Sequence, residues 1–364
     1  MCAAPLIRSS DLDAEIIIIG AGSVGLAFAG ALAAPGRRVR QIVLEPRSIR
    51  PNKRRWLIAA EPGHALSRFA DLRLDRLSMA GREVNLDRLR IEHVSAQRFQ
   101  EAMLDALSQS PASRVEDEVS INAITRVGDS VQVETSLGRL SARAVLDTRP
   151  GPGGHVADGQ WTQIIKRAVV SGVDRAPGFS LSRASAVAGG VQMEQILTLD
   201  DGQCLAEVVR FASPGDEGAG LSESLDTLIA DLGGERVGNI IRLVLPIEHG
   251  APPRTTGAEI PARAGTGGLR FGVGIAAVRS TRWAEGAAAR FADSGILKAQ
   301  HGAPAQARAA AALALTKLKA GPQDASAWLN AVMETAGPER ALRFLAGTPG
   351  WRDGSLAFLR PKSN

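Results

Sequence analysis

The chain has 364 residues, of which 45% are hydrophobic and 22% charged, and its formal net charge is +5. The composition is ordinary for a folded protein, and the length allows two domains or one large domain with an inserted lobe. Because Cys2 and Cys204 are too few and too far apart for a disulfide framework, and the five histidines lack metal-ligand spacing, we expect a cytoplasmic protein without a metal.

The first predicted elements are a strand, a tight turn and a helix. The β-branched run at residues 16–19 predicts a buried strand, and the sequence Gly-Ala-Gly-Ser-Val-Gly at 20–25 follows it directly. The Ala- and Leu-rich stretch 23–34 then predicts a helix that ends at Pro35-Gly36. The uncharged stretch 16–34 is long enough to span a membrane, but three glycines at this spacing favour a buried strand–helix unit.

The next strand, at 39–44, ends at an acid that completes a dinucleotide fingerprint. Gly20, Gly22 and Gly25 permit a tight turn, close approach to a pyrophosphate and close packing of helix on strand. Glu45 lies 20 residues beyond Gly25, where a carboxylate accepts hydrogen bonds from a ribose. These four residues therefore predict a site for the ADP part of a dinucleotide, against the alternative of a glycine turn without a ligand.

The N-terminus and the segment after Glu45 bear on location and partners. Acidic residues and no basic region precede the isoleucine run, so we expect no signal peptide. Residues 47–55 carry five basic side chains, which could face a cofactor phosphate, anionic lipid or solvent. A peripheral contact with the inner membrane face therefore stays open. No nucleic-acid motif accompanies the cluster, so nucleic acid is not an expected partner.

Further elements follow in both halves of the chain. Residues 54–61 and 66–79 have no clear period, whereas 95–107 predict an amphipathic helix capped by Ser95. Strands are predicted at 119–127, 131–135 and 142–146, the first two as a hairpin. After a loose segment at 151–154, strands at 160–172, 192–199 and 204–212 predict a sheet-containing second lobe. A helix at 221–232, a buried strand at 269–277 and helices to about 290, at 305–319 and at 325–344 complete the chain.

The order of elements resembles the flavoprotein superfamily of aromatic hydroxylases and geranylgeranyl reductases, and most closely the bacterial lycopene cyclase family. The fingerprint unit at 16–45 is shared with the whole superfamily. Residues 52–56, 94–99 and 145–149 are similar to three further family stretches, and Gln160-Trp161-Thr162-Gln163 falls where the cyclases enter their substrate lobe. The resemblance extends over roughly residues 14 to 290.

The resemblance implies an α/β fold: a Rossmann-type FAD-binding domain with an inserted β-sheet substrate lobe and C-terminal helices. The implied boundaries are 1–155 for the first part of the FAD domain, 156–265 for the lobe, 266–300 for the return to the FAD domain and 301–364 for the C-terminal helices. FAD is the implied cofactor, with NADPH as a candidate reductant. The residues assigned to FAD are Gly20, Gly22, Gly25, Glu45, Arg54, Arg98, Val119 and Asp147.

The resemblance also implies a chemistry without net oxidation or reduction. In lycopene cyclisation an acid protonates a terminal alkene, the carbocation closes a ring and a proton is lost. The family places its acid in an Ile-Glu-Asp-Thr type strand, to which Leu205-Ala206-Glu207-Val208 is similar, so Glu207 is the implied acid. An outward-facing glutamate is the alternative for this position, and Glu194 on the preceding predicted strand is a rival acid. The cyclases' His-Pro-Thr-Thr-Gly-Tyr-Ser loop aligns with residues 278–283, which lack its His, Pro, Gly and Tyr.

Three functions remain open from the sequence. The leading one is cyclisation of a hydrophobic, isoprenoid or lipid-like small molecule by an FAD-dependent enzyme. The second is a flavin monooxygenase, against which the missing Gly-Asp pair of the hydroxylases counts. The third is a diverged, non-catalytic homologue that acts as a subunit of a protein partner.

Overall fold

The computed structural model of the protein describes residues 12–51, 55–149, 160–199, 202–247, 260–261, 275–298 and 305–345. The strands in chain order are β1 (Ala14–Ile19), β2 (Gln41–Leu44), β3 (Arg55–Ala60), β4 (Ala70–Leu74), β5 (Arg76–Met79), β6 (Arg82–Asn85), β7 (Arg90–Ser95), β8 (Ser113–Glu116), β9 (Ile121–Val127), β10 (Ser130–Thr135), β11 (Gly138–Asp147), β12 (Thr162–Ser171), β13 (Gly178–Leu181), β14 (Ser185–Val187), β15 (Gly190–Thr198), β16 (Cys204–Ala212), β17 (Glu235–Pro246) and β18 (Ile260–Pro261). The helices are α1 (Ser23–Leu32), α2 (Ala96–Ser108), α3 (Leu221–Leu232), α4 (Ile275–Ser294), α5 (Ala305–Ala320), α6 (Pro322–Thr335) and α7 (Pro338–Leu345).

The first sheet contains the predicted strand–helix–strand unit. Its path runs β8–β2–β1–β11–β10–β9, with β18 paired to the end of β11. Strands β8, β2, β1, β11 and β18 are parallel, and β9 and β10 form the predicted antiparallel hairpin. The four isoleucines of β1 are fully buried because apolar clusters cover both faces of this central strand.

Helix α1 packs closely against its neighbours because its residues are small. It contacts α4 along much of its length and crosses α2. A Cβ built on Gly30 would lie 2.5 Å from the Met103 sulfur of α2, so a larger residue at position 30 would push the two helices apart. Helix α2 confirms the predicted amphipathic helix, and the Ser95 hydroxyl accepts the Arg98 backbone N–H at 3.2 Å.

The second sheet contains the strands predicted at 160–172, 192–199 and 204–212. Its path is β17–β12–β16–β15–β13–β5–β6, with β14 paired to β15. Helix α3 packs on one face, against a cluster that includes Ile164, Ala206 and Val208. The opposite face, which carries Leu205 and Val209 and which we call the inner face, joins the main core together with β1 and helices α1, α4 and α6. Strands β5 and β6, at residues 76–85, also enter this sheet.

A third, three-stranded sheet in the order β3–β7–β4 contains strands that the sequence did not predict. Residues 57–60 of β3 are all buried, so the strand lacks the alternation of buried and exposed side chains that identifies a strand with one exposed face. Phe99 of α2 anchors this sheet through edge-to-face contacts with Trp56 and Phe69, at ring-centroid distances of 5.6 and 5.5 Å.

Two predictions near the C-terminus need correction. Of the strand predicted at 269–277, residues 275–277 form the start of α4 and the others lie outside the described residues. The single helix predicted at 325–344 is two helices, α6 and α7. Gly337 has a φ of +77° and Pro338 has no backbone N–H, so a continuous helix cannot pass through this point. In the part of the chain that the structure describes, no helix is long and apolar enough to span a membrane.

Glu92 is a buried carboxylate on β7, the central strand of the three-stranded sheet. His64 Nε2 lies 2.9 Å from one carboxylate oxygen, and the Ser67 hydroxyl donates to both oxygens at 2.9 and 3.0 Å. Burial by itself raises the pKa of Glu92. The hydrogen bonds from His64 and Ser67, with the charges of His64 and Arg73, outweigh burial and hold that pKa below its ordinary value.

We expect Glu92→Gln to lower the free energy of unfolding at pH 7 by about 3 kcal/mol, because the substitution breaks a buried, hydrogen-bonded pair. The stabilisation by Glu92 is full above the ordinary glutamate pKa of 4.5 and is lost as the pH falls through the lower folded-state pKa. Urea unfolding between pH 7 and pH 3 should therefore show the gap between wild type and variant closing. Exposed Glu83 provides the control variant Glu83→Gln, and a gap independent of pH would contradict the assignment.

Candidate cofactor and substrate sites

The glycine turn after β1 has the backbone geometry that the fingerprint predicts. Gly20 has a φ of +102°, and its N–H donates to the Leu44 carbonyl at 2.7 Å, which ties the turn to the end of β2. A Cβ built on Gly25 would lie 2.0 Å from the Gly20 carbonyl oxygen, so only glycine fits there. Gly22 is exposed, and a Cβ built on it meets no atom within 4 Å. The turn is therefore closed on its protein side and open at Gly22.

The open side of the turn coincides with the N-terminus of α1. Gly22 is the N-cap residue of this helix, and no side chain caps it. Backbone N–H groups of the first turn of a helix have no partner within the helix, and the helix dipole adds positive potential there. This end of α1 has the electrostatics and the open space that a pyrophosphate requires.

Glu45 joins the end of β2 to the turn. One carboxylate oxygen accepts the Ala21 N–H at 2.7 Å, and the other accepts the Arg47 N–H at 3.1 Å. A carboxylate has about four acceptor positions, so the half-buried Glu45 can still accept bonds from ribose hydroxyls. Val119 fixes the backbone of this residue, because the Val119 N–H donates to the Glu45 carbonyl at 3.1 Å. The Val119 side chain is fully buried in the core.

Thr148 holds the turn from the other side, and the sequence reasoning gave it no role. Its hydroxyl lies 2.9 Å from the Ile19 carbonyl and 3.1 Å from the Gly20 carbonyl. A Cβ built on Gly20 would lie 2.6 Å from the same hydroxyl oxygen. In the sequence, Thr148 stands out only because it directly follows a strand that ends in Asp147. Its contact with the glycine turn becomes visible only once the pairing of β1 with β11 is known.

The remaining predicted cofactor residues differ in their surroundings. Asp147 lies opposite Ile19 at the end of β11, and the Arg149 guanidinium binds its carboxylate at 2.8–3.2 Å. Arg98 is half-exposed and forms an ion pair with Asp71 of β4 at 2.8 Å. Arg54 lies outside the described residues. The structure therefore groups the three glycines, Glu45 and Asp147 at the carboxyl ends of β1, β2 and β11, the edge at which parallel sheets bind nucleotides.

The segment 278–283, which the family alignment assigned to a loop, lies inside helix α4. The physical reason is composition: the segment lacks the proline and glycine of the family loop, so no helix-breaking residue interrupts α4 there. Ser280 and Thr281 of this segment are buried, and burial lowers the pKa of Arg279. The loop assignment is wrong.

Glu207 lies at the centre of β16 and points to the inner face of the second sheet. Neighbours Ala206 and Val208 pack under α3, and side chains alternate along a strand, so Glu207 shares the inner face with Leu205 and Val209. Its side chain is only 2% exposed.

The strands beside β16 complete a row of polar side chains. Arg167 of β12 lies opposite Glu207 on one side, and Gln195 of β15 lies opposite it on the other. Arg167 forms an ion pair with Glu207. We call Gln195, Glu207 and Arg167 the polar row, and apolar rows flank it on the inner face.

Burial raises the pKa of Glu207, and the charge and hydrogen bond of Arg167 act in the opposite direction. A raised pKa favours the protonated form that can act as an acid, and the guanidinium beside it stabilises the carboxylate that proton transfer would leave. Glu194, the rival acid, alternates to the α3 side of β15, where burial and the Asp231 charge raise its pKa. The two candidate acids thus lie on opposite faces of the sheet.

A group of three or more side chains that could hold a metal ion does not occur among the described residues. The groups of the two sites suit anion and ribose binding at the turn and proton transfer at the polar row.

Comparison with known proteins gives a family and a fold. The family described as "Lycopene cyclase protein" matches residues 15–348. A search of curated proteins finds no match to the sequence. Among solved structures, the p-nitrophenol 4-monooxygenase of Pseudomonas putida aligns at a TM-score of 0.56 and 17% identity, over 94% of this chain and 93% of its own.

Two further solved structures have the same fold. A geranylgeranyl bacteriochlorophyll reductase-like protein of Thermoplasma acidophilum aligns at a TM-score of 0.59 and 12% identity, over 96% of this chain and 88% of its own. The halogenase PltM in complex with phloroglucinol and FAD aligns at 0.55 and 11% identity, over 90% and 78%. The predicted family and the predicted fold class, a Rossmann-type α/β flavoprotein fold, are confirmed.

Proposed function

Because the chain belongs to the lycopene cyclase protein family, we propose that it is an FAD-dependent enzyme that cyclises an isoprenoid or similarly lipid-like molecule by protonating it. The observation that supports this reaction is the buried carboxyl group of Glu207 on the inner face of the second sheet. Apolar rows surround it, as a hydrocarbon chain would require, and the same burial raises its pKa.

The residues of the glycine turn fit the ADP part of FAD. The N-terminus of α1 at Gly22, where an added Cβ would meet no atom within 4 Å, would hold the pyrophosphate, and Glu45 would accept hydrogen bonds from the ribose. Thr148 and Gly25 hold the turn in its shape. When bound in its reduced form, FAD supplies negative charge that favours a nearby carbocation without passing on a hydride.

Glu207 carries out the proton transfer in this proposal. Its O–H bond breaks and a C–H bond forms at the less substituted carbon of the terminal double bond, which leaves a tertiary carbocation at the other carbon and the Glu207 carboxylate. Arg167 stabilises that carboxylate through the ion pair. The π electrons of a second double bond close the ring, and loss of a ring proton to Glu207 restores the carboxyl group, so the reaction is an isomerisation.

Purified full-length protein tests the proposal and its two alternatives. We expect FAD absorbance in the visible spectrum and, with chemically or NADPH-reduced flavin under anaerobic conditions, conversion of lycopene or geranylgeraniol to a cyclic isomer of unchanged mass. Oxygen uptake coupled to NADPH oxidation, with a product heavier by one oxygen atom, would identify a monooxygenase. A protein that takes up no FAD would overturn both enzyme functions and leave the non-catalytic partner subunit.

A further inference from the structure

Gln163 is a buried side chain on β12 that is 1% exposed. Among the described residues, neither its amide nitrogen nor its amide oxygen has a hydrogen-bond partner. Phe211 and Leu245 are its cross-strand neighbours on the inner face. Folded proteins pair most buried polar groups, because an unpaired one retains the full cost of leaving water.

The glutamine on the other face of the same sheet shows that such pairing is available here. Gln192 of β15 points to α3, where its oxygen accepts a bond from Arg210 at 3.0 Å and its nitrogen donates to Ser224 at 3.0 Å. Both ends of that amide are satisfied by protein groups. The α3 face thus pairs both ends of the Gln192 amide, whereas the inner face leaves the amide of Gln163 without a protein partner among the described residues.

The inner face has polar groups at two levels separated by an apolar one. Gln163 lies four residues from Arg167 along β12, which corresponds to roughly 13 Å in a strand. Ile165 and Val209 lie between these levels. At the second level, the Gln195 oxygen beside Glu207 also has no hydrogen-bond partner within the described part of the chain. A ligand lying along β12 would meet hydrogen-bonding groups at both ends and hydrocarbon in between.

We propose that the substrate is an oxygenated isoprenoid whose hydroxyl group is bound by Gln163, rather than a pure hydrocarbon. The amide offers a donor and an acceptor on one side chain, and a hydroxyl group both donates and accepts. A hydrocarbon would leave both amide groups unpaired in the complex. The hydroxyl end lies at Gln163, and the chain runs over Ile165 towards Glu207. This inference rests on the proposed function only in placing the substrate on the inner face.

Paired ligands that differ in one hydroxyl test the inference. FAD-loaded full-length protein is titrated with geranylgeraniol and with the matching C20 hydrocarbon in which a methyl group replaces the CH₂OH group, and binding is followed by tryptophan fluorescence. We expect the wild type to prefer the alcohol by about tenfold, which corresponds to the binding of one well-placed polar group. In Gln163→Leu the preference should fall to one or below, because the hydroxyl would be buried without a partner. Hydrocarbon affinity should stay unchanged within about twofold and the thermal midpoint should not fall, because no protein partner is lost.

The control variant is Gln192→Leu, which should lower the thermal midpoint through its lost bonds to Arg210 and Ser224 yet keep the tenfold preference. Gln163→Met, which preserves side-chain length, replaces Gln163→Leu if the latter does not fold. A wild type that binds both ligands equally overturns this inference but leaves the proposed function standing. The same holds if a Gln163 variant keeps the preference for the alcohol or has a lower thermal midpoint, since a lower midpoint would mean that an ordered water, and not a ligand, pairs the amide. A wild type that binds neither ligand overturns the inner face as the substrate site.

Discussion

Gly22→Ala should lower FAD affinity at least 100-fold without destabilising the free protein, whereas Gly25→Ala should destabilise the free protein itself. A methyl group on Gly22 meets no protein atom but occupies the open end of α1 where the pyrophosphate would lie. A methyl group on Gly25 would lie 2.0 Å from the Gly20 carbonyl oxygen, so the turn must move, at a cost of about 1–3 kcal/mol. Thermal unfolding with and without excess FAD separates the two effects, because a bound ligand raises the midpoint only if it still binds.

Gly178→Ala is the matched control for this pair. Gly178 lies in β13 without a positive φ, and a Cβ there has one ordinary contact at 3.8 Å, so stability and FAD affinity should both stay at wild-type values. If Gly22→Ala bound FAD as tightly as the wild type, the N-terminus of α1 would not be the pyrophosphate site. If Gly25→Ala kept its thermal midpoint, close packing would not be the reason for that glycine.

The dinucleotide unit was predictable because its signals lie within about 30 consecutive residues. A β-branched run, fixed glycine spacing, a helix stop and a terminal acid each act locally, so no long-range pairing had to be known. Thr148 shows the limit of that reasoning. Its hydroxyl meets the Gly20 carbonyl across 128 positions in sequence. Only the pairing of β1 with β11 brings them together, and a strand pattern does not state its partner or its register.

The polar row illustrates the same limit in the lobe. The sequence predicted the strands that carry Arg167 and Glu207, but the ion pair between them depends on an antiparallel register that alternation cannot fix. At residues 278–283 the opposite error occurred. The family resemblance suggested a loop, but the segment has neither the proline nor the glycine that shape the family loop, and helix α4 runs through it.

Glu207→Gln should lower the rate of cyclisation about 1,000-fold, because glutamine keeps the shape of the side chain but has no acidic proton. The matched control is Glu194→Gln. Glu194 also has a pKa raised by burial, yet it lies on the α3 face, so this variant should keep full activity. The assay measures kcat for whichever of lycopene and geranylgeraniol the wild type cyclises. Equal losses of kcat in both variants would mean that the reaction cannot be assigned to the inner face. Full activity in Glu207→Gln would remove Glu207 from the mechanism.

The pH dependence of kcat tests the role of Arg167 in the same reaction. The reacting form of Glu207 is protonated, so kcat should fall as the pH rises through the pKa of this group. Burial raises that pKa and Arg167 lowers it, so Arg167→Met should raise it further and move the alkaline limb of the profile to higher pH. The same substitution removes the positive charge that stabilises the carboxylate product, so the plateau rate below the limb should fall. A limb that moves to lower pH, or does not move while Glu207→Gln is inactive, would show that Arg167 does not tune the acid.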